Sequence, residues 1–190
     1  MKKKVLTFEK QWHFLVNWAI AIIILTSCSP QPLSPRPQAP TNPTAQLKAV
    51  TVDKIKIIQG QTIYVPIYSH IYHINRQDNV INLAATLSIR NTDRLNPIII
   101  KAISYYDTNG QLIKQYLENP VELKSLASTE VFIAGNDVTG GSGANFIVEW
   151  VAQNRVSEPI IEAVMISTAS AQGISFISPG RVLKQYVQEK

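Results

Sequence analysis

His70 and His73 are the only histidines after residue 27, and imidazole side chains suit metal binding or general-base chemistry. Residues three apart on a strand point to opposite faces, so these two rings converge only if the strand ends between them. Asp78 and Asp93 are the carboxylates that would have to complete a ligand set. The spacing therefore predicts no metal site and no catalytic residue. A metal-dependent or hydrolytic enzyme that uses the two histidines is the alternative interpretation.

The glycine-rich segment 140–144 invites comparison with two kinds of catalytic loop, and it matches neither. A nucleophile elbow needs a glycine where Ala144 stands and a helix after the serine, whereas a strand is predicted to follow here. A phosphate-binding loop needs a following helix and a lysine next to serine or threonine. We interpret the segment as an interstrand loop and predict no cofactor. Gly141, Ser142 and Asn145 are candidates for a binding surface.

Cys28 is the single cysteine of the 190-residue chain, and it ends the tetrapeptide Leu25-Thr26-Ser27-Cys28. The tetrapeptide closes an apolar run, 14–25, which four lysines precede. This arrangement resembles the signal peptide of a bacterial lipoprotein, in which the cysteine is lipidated and becomes the first residue of the mature chain. The run is shorter than the ~20 apolar residues of a spanning helix, although an uncleaved helix over 12–27 is the alternative.

The signal-peptide resemblance implies a location in the cell envelope. Residues 1–27 would be removed, and the lipid on Cys28 would attach the protein to a bacterial membrane, facing the periplasm or the exterior. One acyl chain binds a membrane only marginally, and lipoproteins of this kind usually carry three. Ser29 stands where inner-membrane lipoproteins commonly have aspartate, which favours the outer membrane.

Most of the positive charge of the chain belongs to this N-terminal segment. The full sequence has 18 basic and 13 acidic residues, and residues 1–27 hold four lysines and one glutamate. The remainder has 14 basic and 12 acidic residues, a net charge of +2. No Lys/Arg cluster is left to neutralise a phosphate backbone, so the composition predicts no nucleic-acid partner.

Six prolines fall between residues 30 and 43, interleaved with Ser, Gln, Thr and Asn. This composition favours extended polyproline II and does not build a core. Residues 28–46 are therefore predicted to be the lipidated cysteine followed by a linker. At about 3.1 Å per residue, the linker reaches on the order of 50 Å from the membrane.

From residue 47 onward, β-branched and aromatic residues alternate with turn signals spaced about 8–12 residues apart. Residues 83–90 alternate apolar and polar positions, which is typical of a half-buried strand. Residues 160–167 are almost entirely apolar, which is typical of a strand buried on both faces. Asn109-Gly110 predicts a hairpin turn, and Gln59-Gly60-Gln61 predicts another turn. Further strands are predicted at 49–58, 98–106, 111–117, 121–124, 129–134, 146–152 and 173–178.

These strands predict an all-β fold over residues 47–183, an antiparallel β-sandwich of seven to nine strands that is immunoglobulin-like in general architecture. Trp150 is predicted to lie in its core. Residues 181–190 are predicted to form a short helix or a tail, with 184–190 as the polar C-terminal end.

Residues 62–73 form the most unusual segment, because aromatic side chains recur on one face of the predicted strand. We call this face the Tyr/His stripe; it comprises Tyr64, Tyr68, His70 and Tyr72. Pro66 lacks an N–H donor, which favours an edge strand or a bulge. An exposed aromatic stripe is typical of a surface that binds a glycan, a peptide or a protein. Burial under a loop or under the second sheet is the alternative.

Several stretches resemble a family of uncharacterised bacterial lipoproteins, the domain of unknown function 3124, which is frequent in cyanobacteria. The stretches are YVPIYSHIY at 64–72, NLAATLSIRNTD at 82–93, YYD at 105–107, GGSGANFIVEW at 140–150 and GISF at 173–176. The resemblance extends over about 62–181. The family has no established activity, so the resemblance implies no catalytic residue.

The sequence therefore predicts a membrane-anchored lipoprotein of the cell envelope with a non-catalytic binding or assembly domain. Its partners would be the membrane, through the lipid on Cys28, and an envelope protein or glycan at the Tyr/His stripe. A purely structural envelope lipoprotein is a further alternative. The residues specify no oligomeric state.

Overall fold

The computed structural model describes residues 43–52, 56–169 and 173–188. The predicted signal peptide, Cys28 and most of the predicted linker lie outside the described residues. The described chain begins with a 3-10 turn, Pro43–Gln46. Within these ranges, no helical segment has the length and the apolar character that a membrane crossing requires.

The described residues contain thirteen strands, all paired antiparallel. They are β1 (Lys48–Ala49), β2 (Gln59–Pro66), β3 (His70–His73), β4 (Arg76–Asn82), β5 (Ala84–Arg90), β6 (Ile98–Tyr106), β7 (Leu112–Gln115), β8 (Val121–Leu123), β9 (Ser128–Ile133), β10 (Asn145–Ala152), β11 (Ile160–Ser167), β12 (Ile174–Pro179) and β13 (Arg181–Val187). The predicted all-β antiparallel fold is confirmed. The count exceeds seven to nine because short strands pair along the edges of the longer ones.

Two sheets form the sandwich. The large sheet has the strand order β1-β8-β6-β10-β2-β13, and β7 also pairs with β6. The small sheet has the order β12-β11-β5-β9, and β3 and β4 form a separate hairpin. Apolar side chains from both sheets meet in one continuous core.

The core confirms the strand predictions that rested on alternation. Ala85, Leu87 and Ile89 of β5 are buried, while the residues between them face outward. Trp150 on β10 is 1% exposed, as predicted for a core residue, and its Nε1 donates to Gln61 Oε1 at 3.2 Å. A buried indole N–H usually finds such a partner, because leaving it unpaired costs stability.

The predicted hairpin at Asn109-Gly110 is also confirmed. β6 and β7 flank the turn, and Gly110 has a φ of 76°, which glycine adopts without steric cost. Asp107 Oδ1 accepts hydrogen bonds from the backbone nitrogens of Asn109 and Gln111, both within 2.9 Å.

The N-terminal part of the domain differs from the prediction. No strand spans 49–58 in the described residues, and Gln59-Gly60-Gln61 begins β2 where a turn was predicted. A Cβ on Gly60 would lie 2.6 Å from the carbonyl oxygen of Trp150. The glycine therefore permits a close approach of β10 and does not mark a turn.

The C-terminal part differs as well. Residues 181–187, predicted as a helix or tail, form β13, which pairs with β2 from Arg181↔Tyr64 to Val187↔Gln59. The chain passes from the small sheet to the large sheet at Gly180, where a Cβ would lie 2.5 Å from Ile63 Cγ2. The sandwich consequently includes residues that were assigned to the polar tail.

The prediction that β11 is buried on both faces is wrong for the described residues. Ile161, Ala163 and Met165 point into the core and are buried. Ile160 and Ile166 point the other way and are 48% and 47% exposed. On its outer face β11 therefore presents three apolar residues, Ile160, Val164 and Ile166, together with Glu162.

Candidate functional site

The Tyr/His stripe does not form a single strand. β2 ends at Pro66 and β3 begins at His70, and the chain between them bends away from the large sheet. β2 lies between β10 and β13, so the prediction of an edge strand is wrong. Proline is tolerated because it is the last residue of the strand.

The glycine-rich loop holds this bend in place. The backbone nitrogen of Ile67 donates to the carbonyl oxygen of Ala144 at 2.8 Å, and that of Ser69 donates to Gly141 at 3.0 Å. These bonds join the start of β10 to the end of β2. The two regions that the sequence marked as candidates are therefore in direct contact.

The break separates the stripe residues. Tyr64 is half-buried on the outer face of the large sheet, in register with Ile147 and Arg181. His70 and Tyr72 lie on the hairpin, with their rings edge to face at a centroid distance of 5.6 Å. Tyr68 lies between the two strands. The structure thus brings His70 and Tyr72 together and leaves Tyr64 apart.

The hairpin packs one side on the core and exposes the other. Ile71 and Ile81 contact the core cluster, whereas Tyr72 is 56% exposed. The two-residue turn at its tip, Ile74-Asn75, has φ values of 55° and 51°. Both residues lie in the left-handed region, as a type I′ turn requires. An isoleucine there is disfavoured, because its branched Cβ crowds the backbone.

An aromatic groove opens where Tyr68 meets the small sheet. The Tyr68 and Phe176 rings pack edge to face at 5.9 Å, and Tyr68 is 38% exposed. The groove encloses about 470 Å³, and its lining includes Pro66, Tyr68, Ile71, Phe176, Pro179 and Arg181. We refer to it as the aromatic groove. It lies at the seam of the sandwich, beside the edge strand β12.

The glycine-rich loop is tightly built. Thr108 Oγ1 donates to the carbonyl oxygen of Gly140 at 2.9 Å and accepts from the Gly143 nitrogen at 3.0 Å. A Cβ on Gly140 would lie 2.0 Å from the Tyr105 hydroxyl oxygen. Gly141 has a φ of 75°. The loop is therefore an interstrand connection that shapes the neighbouring bend.

The other loop candidates stand at the margin of this site. Ser142 is half-buried beside Gly141, and Asn145 is the first residue of β10, paired with Pro66 and Tyr106. A binding role for Gly141, Ser142 and Asn145 stays a prediction.

The histidines do not gather metal ligands. Among the described residues, no group of three His, Cys, Asp or Glu side chains is placed to hold a metal ion. Asp78 pairs with Arg76 on the hairpin. Asp93 is held in a separate network, which takes up its oxygens. The described residues therefore bring no third ligand to His70 and His73.

Asp93 and Asn91 form this network at the end of the sandwich where β5 gives way to β6. Asp93 Oδ1 accepts from the backbone nitrogens of Leu95 and Asn96, and Oδ2 accepts from that of Ser157 at 3.0 Å. These backbone hydrogen bonds lower the pKa of Asp93 to about 2, because they favour the carboxylate. Its role is structural.

The pKa values of two tyrosines, Tyr105 and Tyr116, are raised, whereas that of Asp93 is lowered. Burial raises the pKa of Tyr116 to about 12, and the nearby hydroxyl of Tyr105 adds to the rise. Burial also raises the pKa of Tyr105. Both rings pack on Phe146, at centroid distances of 5.9 and 5.0 Å. Tyr105 lies against the loop at Gly140, and both rings belong to the aromatic packing around Phe146.

A second groove, of about 590 Å³, crosses the outer face of the large sheet. Gly60 and Val151 form its floor, and Tyr186 forms one wall. Lys101 pairs with Glu149 at 3.4 Å along its rim. It shares no lining residue with the aromatic groove.

Sequence reasoning missed half of the aromatic groove. Phe176 and Pro179 lie on β12 and Arg181 begins β13, and this part of the chain was predicted as a last strand followed by a helix or tail. No local spacing links them to Tyr68, because the contact arises from the crossover at Gly180. Phe176 stood in one of the quoted family stretches, and that was the single signal that pointed to it.

Comparison with solved structures gives a distant likeness. A crystal structure of Thermotoga maritima 1070 aligns with a TM-score of 0.40 and 13% sequence identity, over 68% of this chain and 95% of that chain. No curated protein matches the sequence.

Comparison with protein families gives a match over most of the sandwich. The family model described as "Protein of unknown function (DUF3124)" matches residues 60–183. The match runs from the start of β2 into β13, so it includes both sides of the aromatic groove and the glycine-rich loop. It confirms the resemblance to the domain of unknown function 3124 that was noted over 62–181. The chain therefore belongs to the DUF3124 family of proteins of unknown function.

Proposed function

We propose that this protein is a lipoprotein anchored through Cys28 and that its sandwich is a non-catalytic binding module of the cell envelope. The aromatic groove is the proposed binding site. The observation that carries the proposal is the exposed Tyr68 ring, which rests on Phe176 at the seam between the two sheets.

The shape and chemistry of the aromatic groove favour an extended peptide segment of an envelope protein. Its walls are aromatic and proline side chains, which bind extended backbones in several peptide-recognition modes. β12 is the edge strand next to it, and an edge strand offers free backbone donors and acceptors. Arg181 at the rim suits an acidic side chain on the peptide.

The lipid anchor and the linker fit such a module. A tether that reaches on the order of 50 Å lets the domain search the space next to the membrane. Confinement of this kind raises the effective concentration of the domain for a partner in the same compartment. The outer membrane is the proposed location, with the domain facing the periplasm or the exterior.

A photoreactive phenylalanine analogue at position 68 of the full-length protein, expressed in cells, tests the site. We expect protein adducts from position 68 that disappear when Arg181→Ala is added. The matched control places the analogue at Tyr72, which is exposed on the hairpin outside the aromatic groove. Adducts of equal yield from both positions, or adducts with glycan alone, would contradict a peptide site.

Replacement of Cys28 tests the anchor separately. Cys28→Ala should release the processed chain from membranes or leave an unprocessed precursor, because the lipid is attached at this sulfur. Membrane fractionation with a mass measurement of the N-terminal fragment distinguishes these forms. A chain that is normally cleaved and still membrane-bound after this change would rule out the anchor.

A further inference from the structure

Among the described strands, all edges of the two sheets but one carry a feature that discourages the addition of another strand. Charged side chains, bulges and very short strands are the usual features of this kind. In the large sheet, β1 has two residues and includes Lys48, β7 has four and includes Lys114, and β13 has a bulge and Lys184. In the small sheet, β9 carries Glu130 and packs against the 3-10 turn Pro43–Gln46.

The edge strand β12 is the exception. Its six residues, Ile174–Pro179, include no charged side chain, and no bulge interrupts its pairing with β11. No described strand pairs with its other side, which we call the free edge of β12. The free edge borders the aromatic groove, whose lining includes Phe176, Ile177 and Ser178. An uncharged and uncovered edge of this length can accept the backbone of another strand.

The register of β12 determines which of its backbone groups point to the free edge. The Gly180 nitrogen donates to the Ile161 carbonyl oxygen at 2.9 Å, and this pair continues the register of β11 and β12. Hydrogen-bonded pairs alternate along an antiparallel ladder. Every second residue back from Gly180, as far as Ile174, therefore directs its backbone groups toward β11. Ser175 and Ile177 direct theirs to the free edge.

The free edge of β12 therefore presents a short row of backbone donors and acceptors. The nitrogens of Ser175 and Ile177 are the donors, and the carbonyl oxygens of the same two residues are acceptors, together with that of Pro179. Proline ends the row of donors because it has no N–H. No backbone hydrogen bond to a described residue occupies these groups. The row suits two hydrogen-bonded pairs with one antiparallel strand.

An antiparallel strand on the free edge would place alternate side chains at the aromatic groove. Side chains of directly paired residues lie on the same face of a sheet. The residue opposite Phe176 therefore enters the groove beside Tyr68, whose ring packs on Phe176 at 5.9 Å. The residue opposite Ser178 comes two positions earlier in the added strand and lies toward Arg181. An apolar side chain suits the first position, and an acidic side chain suits the second.

We propose that β12 binds its partner by strand addition: an extended segment of an envelope protein pairs antiparallel with Ser175 and Ile177 and becomes the fifth strand of the small sheet. The segment has the pattern acidic–x–apolar, and its apolar residue fills the aromatic groove. Proline is excluded at the two paired positions, since each must donate an N–H. This mode of binding rests on the proposed peptide site and specifies how that site holds its ligand.

Selection of peptides tests the sequence pattern. Random twelve-residue peptides displayed on phage are selected on the full-length protein in detergent, and binders are kept if Tyr68→Ala weakens them at least about tenfold. We expect the acidic–x–apolar pattern among the binders that are kept. A library without any binder that depends on Tyr68 would overturn the peptide site itself, and strand addition with it.

Backbone methylation of one selected peptide tests the pairing without any change to the protein. Each residue in turn is synthesised with an N-methyl group, which removes one backbone donor and keeps the side chain. We expect methylation to weaken binding at least about tenfold at two positions separated by one residue, and to be tolerated at the residue between them. Equal losses along the peptide, or no loss, would overturn strand addition and leave the peptide site in place.

Proline at position 177 removes one donor from the protein. Ile177→Pro should weaken binding of the same peptide at least about tenfold, and its unfolding midpoint shows whether the domain stays folded. Glu130→Pro is the matched control on the opposite edge of the small sheet. The bond from the Asn91 nitrogen to the Ala127 oxygen, at 2.9 Å, sets an alternation in which the backbone groups of Glu130 point away from β5. Equal losses in the two variants would overturn the proposal. Self-association that Ile177→Pro abolishes, without peptide binding, would overturn the peptide partner in favour of a second copy.

Discussion

At the scale of single residues, the best-connected polar side chains are Asn91 and Asp93. The two hydrogens of Asn91 Nδ2 are shared among three backbone carbonyl oxygens, those of Asn96, Leu123 and Lys124. Asp93 accepts from three backbone nitrogens on two segments. Together the two side chains satisfy backbone groups that the turn between the sheets leaves unpaired. Buried groups of this kind cost stability when they lose their partner.

Asp93→Asn should therefore lower the urea concentration at the midpoint of unfolding. The amide keeps one oxygen acceptor but places an N–H₂ group where a second acceptor is needed. It should also remove the contribution of Asp93 to the acid dependence of the midpoint between about pH 4 and pH 2, the interval between its unfolded and folded pKa values. Urea titrations at several pH values measure both effects.

Asp78→Asn is the matched control. The ion pair with Arg76 lowers the pKa of Asp78, but both side chains are exposed on the hairpin, at 67% and 68%. Solvent screens such pairs, so the midpoint should change little. An equal loss in both variants would show that the Asp93 network does not stabilise the fold specifically.

Gly140 is a second residue with a predictable role. Gly140→Ala would place a Cβ 2.0 Å from the Tyr105 hydroxyl oxygen and 2.7 Å from Ala144 Cβ. Overpacking of this kind should destabilise the domain by about 1–3 kcal/mol, which thermal or urea unfolding would measure. Adding Tyr105→Phe should restore part of the loss. Gly173→Ala, where the nearest atom lies at 3.8 Å, should cost little.

At the scale of elements, the hairpin formed by β3 and β4 has an unfavourable turn residue. Ile74 has a φ of 55° and is 64% exposed, so no core contact offsets its backbone strain. Ile74→Gly should stabilise the hairpin by about 1 kcal/mol, because glycine adopts the left-handed region freely. Hydrogen exchange of the β3 and β4 amides would report the gain.

Leu126 provides a matched comparison for this turn. It has a φ of 57° and is also 64% exposed, and Leu126→Gly should bring a gain of similar size. If Ile74→Gly instead loosened the hairpin while Leu126→Gly stabilised its turn, the Ile74 side chain would have to make a stabilising contact of its own.

Removal of the strand β13 tests how much its backbone pairing with β2 contributes to the fold. This strand covers the edge of β2 and follows the crossover at Gly180. Deletion of residues 181–190 should abolish cooperative unfolding, because the loss of a seven-residue strand rivals the ~5–15 kcal/mol that holds a domain folded. Circular dichroism during heating shows whether the shortened chain still unfolds in a cooperative transition. Deletion of the two residues after Gln188 should leave the transition in place, since it removes no described strand.

Elements with local signals were predictable, and elements defined by distant contacts were not. Alternation identified β5, and Asn-Gly identified the turn between β6 and β7. β13 has no apolar alternation to identify it, because its exposed side chains leave only backbone pairing with β2. Gly60 looked like a turn for a similar reason, since the approach of the Trp150 carbonyl is not visible in sequence. The aromatic groove was half predicted, because its two walls come from opposite ends of the domain.

At the scale of the whole molecule, the titrating groups define a pH range of stability. The folded pKa of Asp93 is lowered, so its contribution is complete above about pH 4 and is lost as the pH falls to about 2. The folded pKa of Tyr116 is raised, so its contribution is complete below about pH 10 and is lost as the pH rises to about 12.

The free energy of unfolding should therefore be nearly constant between these limits and fall on both sides. Denaturation series across pH measure this profile. Tyr116→Phe should flatten the alkaline limb and leave the acid limb unchanged. An alkaline limb that persists unchanged in this variant would assign it to other groups.

The pairing of β2 with β13 also has a kinetic consequence. The second strand of the domain acquires one of its two neighbours only from residues 181–187. A contact of such sequence separation raises the contact order and slows folding. When only the first two-thirds of the chain has left the ribosome, the large sheet has an unpaired edge at β2. That edge stays unpaired until residues 181–187 emerge, so the domain completes its large sheet only when nearly the whole chain has been synthesised.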